Sequence, residues 1–369
     1  MTRVVVLGAG YAGLVAAKLA ARRTRAEVTL VNAGDRFVER VRLHQLAAGQ
    51  RLRDLPLTEL LAGTDVNLVV GLVTEIDTAR RVVRLDGAAQ RLQYDVLVYA
   101  LGSAADLTSV PGAAEHAHAV ADAGQARRLR DRVRDGTTVA VVGGGLTGIE
   151  TAAELAESYP GAKVRMVTGG VPGAALSAKA RRHFLRTFHR LGIELRENVR
   201  VTEVHADGLS LAGGERLDAD IVVWTTGFRV SSLAAEAGLA VDGHGRMLVD
   251  DTLRSVSHPE VYGIGDSAAA RLPSGQELRM ACATAIPSAA CAVRAIAARL
   301  AGREARPLNF RYVTQCVSLG RRDGLIQFVR PDDTPARGLL TGRPAALYKE
   351  AIVRAAYWSQ RHPGLTAAM

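Results

Sequence analysis

The 369-residue chain has only three cysteines, Cys282, Cys291 and Cys316, and no Cys-x-x-Cys pair. An odd number without that spacing excludes a disulfide framework and points to a reducing, cytoplasmic setting. Lysine is scarce: four of the 47 basic residues. The net charge of +10 therefore reads first as an arginine- and alanine-biased composition, although a basic protein also invites nucleic acid or anionic lipid. The charges are dispersed except after residue 301, where eleven Lys/Arg stand against five Asp/Glu. Nucleic acid is not expected as a main partner. No apolar stretch reaches the ~18 uncharged residues of a membrane-spanning helix. His44, His183 and His189 share no metal-ligand spacing with other residues. They are expected to be surface or hydrogen-bonded core residues, and no metal site is expected.

Against these absences stands a repetition. VVVLGAGYAGLVAAKLA begins at Val4, and VAVVGGGLTGIETAAELA begins at Val139. Each is a short apolar run, a glycine turn and a small-residue helix, followed by another apolar run (AEVTLVNAG at 26–34, then the strand ending at 168). That is a β-turn-α-β unit twice over. Residues 67–85 read as hairpin-like strands broken at Asp77. YDVLVYALGS (94–103) is a buried strand ending in glycine, and LDADIVVWTTGF (217–228) repeats it after the second unit. An arginine-rich helix is predicted over 122–134, and a small-residue helix over 281–299. Three features recurring in the same order favour duplication over coincidence.

The spacing of the glycines carries chemistry. In Gly8-x-Gly10-x-x-Gly13 the first glycine permits the tight turn, the second lets backbone approach a pyrophosphate, and the third lets helix pack on strand. Gly143-x-Gly145-x-x-Gly148 repeats the arrangement. Phosphates then lie at positive helix N-termini. Asn32 stands where an acid would hold a ribose; it could bond a hydroxyl without charge assistance or only finish the strand, and Asp35 is an alternative acid. Thr168 stands at the matching place in the second unit. No acid there repels a 2′-phosphate, and Lys179, Arg181 and Arg182 follow at a distance, in what also reads as a plain surface helix. NADH and NADPH both stay open. Glu150 is expected in the first turn of the second helix, near the meeting point of two cofactors or merely favouring the helix dipole. Asp266 in GIGD either holds cofactor hydroxyls or N-caps the SAAA segment.

GAGYAG, YDVLVYALGS, GGGLTGIE, DIVVWTTGF and VYGIGD in this order resemble the FAD-dependent pyridine nucleotide oxidoreductase superfamily, type II NADH dehydrogenases in particular. AAELAESYPGAKV, VSLGRRDGLIQF and LTGRPAALYKEAIV are similar to the apoptosis-inducing-factor-2 and ferroptosis-suppressor group. The resemblance runs over essentially the whole chain. It implies an FAD site at Gly8, Gly10, Tyr11, Ala12, Gly13 and Asn32, with Val73 touching adenine, Gly102 flanking the cofactor, Asp266 on the ribityl chain and Ala283 facing the isoalloxazine. It implies an NADH or NADPH site at Gly143, Gly145, Leu146, Thr147, Thr168 and Gly227, with Glu150 as the catalytic residue. Asn32, Leu101 and Thr168 depart from the family's usual residues. The redox cysteine pair of the superfamily's disulfide reductases is missing from RFVERVRLHQLAAG (36–49), and Cys282 reads as inert.

The expected architecture is α/β: two Rossmann-like dinucleotide-binding domains, one inserted in the other, plus a small C-terminal α+β domain. The FAD domain is expected at 1–110 and 240–300, the NAD(P)H domain at 111–239 and the C-terminal domain at 301–369. The expected activity passes electrons from NAD(P)H through flavin to a quinone or another small acceptor. A flavin-dependent oxidase or tailoring enzyme and an NAD(P)H-responsive redox sensor are the rival readings. Residues 344–364 form an amphipathic helix with Leu347, Tyr348, Ala351, Ile352, Ala355 and Ala356 on one face and Glu350, Arg354 and Arg361 on another. It fits peripheral contact at the inner face of a membrane, or packing on its own domain or in a homodimer.

Overall fold

Val4 to Leu7 are buried because their strand, Arg3–Leu7, is the centre of a five-stranded sheet that is parallel throughout. A continuous apolar run is what a strand covered on both faces requires. The computed structural model describes residues 1–86 and 91–366. Across the first sheet the order is Val261–Gly263, Val96–Tyr99, Arg3–Leu7, Glu27–Asn32 and Val66–Val70. A second parallel sheet runs Ala117–Ala119, Ile221–Trp224, Thr138–Val142, Lys163–Val167 and Glu194–Arg196. The glycine-turn strand is central in both, and the order of parts is the same. Residues 66–70, expected in a hairpin, instead close the first sheet as a parallel edge strand. The antiparallel strands there are Val73–Asp77, Val82–Leu85 and Arg91–Gln93. Val201–His205, Gly208–Leu211 and Arg216–Asp218 form the same kind of meander in the second unit.

The outer strands show how the units are threaded. Val261–Gly263 returns to the first sheet after the whole of the second has been built. The two crossings between units, Ser103–Ala105 and Phe228–Val230, pair antiparallel. Both crossings follow a glycine with positive φ, Gly102 at 69° and Gly227 at 74°. A side chain there would strain the backbone, which accounts for the glycine that ends each repeated strand.

Helix Tyr11–Arg23 packs on helix Cys282–Leu300, with Ala16, Ala20, Ala289 and Ala292 fully buried. Among the described residues, Cys282–Leu300 is the one helix long and apolar enough by composition to cross a membrane. Its buried alanine face makes it a core helix of the first unit.

The C-terminal piece is an antiparallel sheet, Thr314–Ser318, Gly324–Val329 and Pro335–Thr341, followed by helix Arg343–Arg361. Asp323 fastens it to the second unit. Its carboxylate accepts from His183 Nε2 at 2.8 Å, Thr187 Oγ1 at 2.9 Å and Arg190 Nη2 at 2.9 Å. Burial alone would raise this carboxyl, but the His183 and Thr187 bonds win and hold it at about 2. At the other end, buried Lys18 donates to the carbonyls of Gln360 and Arg361, at 2.9 and 3.1 Å. A cation on the last carbonyls of a helix is well placed.

Candidate active site

Two cradles are built alike. Gly8 donates its N–H to Val31 O at 2.8 Å, and Gly143 donates to Val167 O at 2.8 Å. Gly8 has φ 97° and Gly143 has φ 122°. A Cβ on Gly13 would lie 1.8 Å from Gly8 O, and one on Gly148 would lie 2.0 Å from Gly143 O. Close packing therefore requires the outer glycines. The middle ones differ: a Cβ on Gly10 or Gly145 would meet nothing within 4 Å. These two glycines face open space at the N-caps of Tyr11–Arg23 and Leu146–Ser158. Neither helix has a side-chain cap or an acid in its first turn. Uncapped first-turn N–H groups beside an open glycine fit a pyrophosphate. The residues thus fit one dinucleotide at each cradle.

Asn32 is spent partly on the turn itself. Its Oδ1 accepts the Ala9 N–H at 2.9 Å and its Nδ2 donates to Gly34 O at 2.7 Å. One amide N–H is left for a ribose. Tyr11, Ala12 and Val73 are buried around this end of the sheet. Asp266 is not an N-cap. It sits in the 3-10 turn Gly265–Ser267, which runs into a strand at Ala268–Ala269 rather than a helix. Its Oδ2 accepts from Ser103 Oγ at 2.7 Å, and Arg40 Nη1 is 3.9 Å away. Gly265 touches helix Tyr11–Arg23, since a Cβ on it would meet Ala12 Cβ at 3.2 Å, and its N–H donates to Ser288 Oγ at 3.1 Å. Asp266, Gly102 and the start of the helix bearing exposed Ala283 are thus gathered around the first cradle. Arg40 and Ser103 are members that the sequence reading missed.

In the second cradle Leu146 and Thr147 form the first turn of the helix, and Thr168 ends the neighbouring strand with 8% of its surface exposed. Gly227 lies at the crossing, with Asp106 Cβ 3.1 Å from where its Cβ would be. Glu150 differs from expectation. It is the fifth residue of Leu146–Ser158, beyond the first turn. Its Oε1 accepts the Ser318 N–H at 2.9 Å and pairs with Lys349 Nζ. The carboxylate thus faces the C-terminal sheet and helix, not the helix's own N-terminus. Burial, and then the charge of Arg42, lower the Lys349 ammonium to about 7.

One turn further along the same helix lies Glu154, fully buried. It accepts from Gln50 Nε2, and its Oε2 is 4.0 Å from His44 Nε2. His44 is buried without a hydrogen bond at that nitrogen, so it is not the satisfied residue expected. Burial pushes its basicity well below the ordinary value, with Lys349 and Arg321 adding to the effect. Burial raises the Glu154 carboxyl from 4.5 to about 7, against the pull of Arg321 and Gln50. A raised carboxyl stabilises the fold below the unfolded value and loses that contribution as pH rises through the folded one. Glu154→Gln should therefore stabilise the protein by on the order of 2–3 kcal/mol at about pH 8 and far less at about pH 5, read by urea unfolding at both. Equal effects at the two pH values would refute the raised carboxyl.

The cysteines are free. Burial pushes the Cys282 thiol up to about 12 and Cys291 to about 11. Neither is a nucleophile near neutrality; the sequence suggests this for Cys282. No metal-holding group of His, Cys, Asp and Glu occurs among the described residues.

Two parallel sheets threaded one into the other, each with an open glycine cradle, define a two-dinucleotide oxidoreductase of the flavoprotein kind. The chain belongs to the pyridine nucleotide-disulphide oxidoreductase family, whose pattern matches residues 2–295; within it the chain is type II NADH dehydrogenase-like. An NADH dehydrogenase-like protein of Mycobacterium tuberculosis is 36% identical over 308 residues, 76% of each chain. A type II NADH:quinone oxidoreductase of Staphylococcus epidermidis is 29% identical over 95% of this chain and 93% of its own. NDH2 of Plasmodium falciparum, solved in complex with NADH, shares the fold with a TM-score of 0.84 at 14% identity, over 99% of this chain and 97% of its own.

Proposed function

We propose that the protein is an FAD-dependent NAD(P)H:quinone oxidoreductase. The carrying observation is the pair of open glycine cradles in one chain that also lacks a redox thiol pair. Residues 1–110 and 240–300 form the FAD domain, 111–239 the NAD(P)H domain, and 301–369 a third domain that covers the second cradle's helix. Gly8, Gly10, Tyr11, Ala12, Gly13, Asn32, Val73, Gly102, Asp266 and Ala283 surround FAD. Gly143, Gly145, Leu146, Thr147, Thr168 and Gly227 surround NAD(P)H. The relatives named for quinone reduction support the quinone as acceptor.

Held at the open glycines Gly10 and Gly145 and the helix N-termini behind them, FAD and NAD(P)H would supply the hydride and two-electron chemistry that a quinone needs. Reducing one quinone with one NAD(P)H also takes up one proton from solution. Lys349 Nζ and Glu150 Oε1 form a partly buried pair able to hold that proton near neutrality, because burial and Arg42 bring Lys349 to about 7. Ser318 N–H fixes the carboxylate's position. Glu150→Gln is expected to keep FAD bound and the NAD(P)H-dependent bleaching of the flavin in place, and to slow quinone-dependent reoxidation by roughly 10²-fold or more, within the range for losing a positioned proton-transfer group. Unchanged stopped-flow reoxidation by quinone would remove Glu150 from the mechanism.

The C-terminal helix supplies a surface for reaching membrane-borne quinones. Leu347 (72% exposed), Tyr348, Ala351, Ile352, Ala355 and Trp358 all point outward, with exposed Arg343, Arg354 and Arg361 among them, while Ala345 and Val353 face inward. An apolar strip edged by arginine suits an anionic bilayer surface. The protein should sediment with anionic liposomes at low salt, and Leu347→Glu together with Ile352→Glu should abolish this. Equal retention in the supernatant for both proteins would assign the strip another role.

A further inference from the structure

A quinone accepts two electrons and two protons. One of those protons travels with the hydride of NAD(P)H, and the other comes from solution. The Lys349–Glu150 pair that can hold it is only 12% and 13% exposed. A supply from solvent is needed, and the helix that carries Glu150 has one built along its face.

Glu150, Glu154 and Glu157 occupy positions i, i+4 and i+7 of helix Leu146–Ser158. Neighbours at this spacing stand about 5–6 Å apart at Cβ on one face. The column runs from the site to the surface: Glu150 pairs with Lys349, Glu154 is fully buried, and Glu157 is half-exposed and accepts the Arg321 backbone N–H. Glu154 presents two oxygens in different settings. Oε1 accepts from half-exposed Gln50 and lies 3.9 Å from Arg321 Nε, whose side chain is 41% exposed. Oε2 has no partner and faces His44 Nε2, 4.0 Å away and also without a partner. Two orphaned buried atoms, a carboxyl oxygen and a ring nitrogen, are satisfied together by one proton shared between them.

His44 stands where that proton can move on. Just before its helix, Leu43–Ala47, Arg42 donates to both oxygens of Glu350 at 2.8 and 2.9 Å, and Glu350 follows Lys349 on the C-terminal helix. Burial, then the charges of Lys349, Arg321 and Arg42, disfavour the His44 imidazolium, so this ring passes a proton on rather than storing it. Burial favours the proton on Glu154; Arg321 and Gln50 oppose it and Glu157 aids it. Helix Ala123–Arg132 also packs on Leu43–Ala47, with Ala126 and Leu129 in the same apolar cluster.

We propose that Glu154 and His44 are positioning residues that carry the second proton from solvent to the Lys349–Glu150 pair. A proton enters on the Oε1 side of Glu154, leaves from Oε2 to His44 Nε2, and is given up from the other ring nitrogen towards Lys349. One enters for each that goes on to the quinone, and no electron moves with it. This rests on the reading of the protein as a quinone reductase.

Glu154→Gln in the FAD-loaded protein tests it by anaerobic stopped flow at about pH 7, with NADH mixed first and a short-chain quinone second. The amide keeps the shape of the side chain and loses its transferable proton. The variant is expected to fold, since it removes a buried titratable group, and to bleach its flavin as the wild type does. Reoxidation by quinone should slow by roughly tenfold or more, less than for a group that touches the reacting atoms. Imidazole in the buffer, a small proton donor, should restore the rate in proportion to its concentration, and Glu154→Asp should lose less than Glu154→Gln. A purely structural role would produce neither response. His44→Gln should show the same slow phase relieved by imidazole, which keeps the relay testable if either variant fails to fold. Reoxidation at the wild-type rate in both variants overturns the relay alone. Slowing that imidazole does not relieve, or that extends equally to bleaching, also overturns it. A wild type whose bleached flavin no quinone restores would overturn the quinone-reductase reading and the relay with it.

Discussion

Gly10→Val is expected to give a folded protein that purifies without yellow flavin. The outer glycines cannot test this, because a Cβ on Gly8 would lie 2.5 Å from Ala100 O and one on Gly13 would collide with Gly8 O. Their loss would damage the fold and the site together. At Gly10 an added Cβ meets no protein atom within 4 Å, and φ is −73°, which any residue adopts. The branched side chain therefore has only the space reserved for the pyrophosphate to fill. Blocking it forfeits at least two charge-assisted N–H contacts, so FAD affinity should fall by about 10²–10⁴-fold with little change in thermal stability of the apoprotein. Retained flavin at wild-type occupancy would show that the cofactor lies elsewhere.

The companion change, Gly145→Val, should separate the two cradles. Gly145 has the same open space, an ordinary φ of −75° and an uncapped helix behind it. The expected protein is yellow, with full FAD, yet its kcat/KM for NAD(P)H falls by roughly 10²-fold or more. Steady-state assays alongside an absorbance spectrum at the flavin band decide this. Loss of flavin in this variant, or unimpaired turnover, would contradict the assignment of one cofactor to each cradle.

The cradles were legible in the sequence because they are local. The third glycine of each is required by backbone contact with the first, five residues before it, and that contact fixes the spacing; that Ala100 and Thr225 also crowd Gly8 and Gly143 was not legible. The repeated strand-to-glycine segments 94–103 and 217–228 were legible too, although not that their continuations pair with each other across the junction of the units. The parallel edge strand at 66–70 was misread because a short apolar run looks the same in a hairpin or at a sheet edge. Glu150 shows the limit most clearly. Its place on a helix could be read, but its partners, Ser318 and Lys349, come from the C-terminal sheet and helix, 168 and 199 residues away. One signal was present: Glu150, Glu154 and Glu157 recur at one-face spacing on a small-residue helix. Three carboxylates on a helix with a buried face call for partners of opposite charge or buried protons. Lys349 and Arg321 meet that demand, but only the fold brings them there. Asn32 is a milder case, since its amide serves the glycine turn as well as the space beside it.

The central claim is that one chain carries electrons from a nicotinamide through a flavin to a quinone without a thiol relay. Anaerobic double-mixing stopped flow on the purified yellow protein tests it most directly. Mixing with NADH or NADPH should bleach the flavin absorbance in a single turnover. A second mix with a short-chain quinone should restore it, one quinone per flavin, and replacing all three cysteines with serine or alanine should leave both phases in place. A flavin that neither nucleotide bleaches, or a bleached flavin that no quinone restores, would contradict the account.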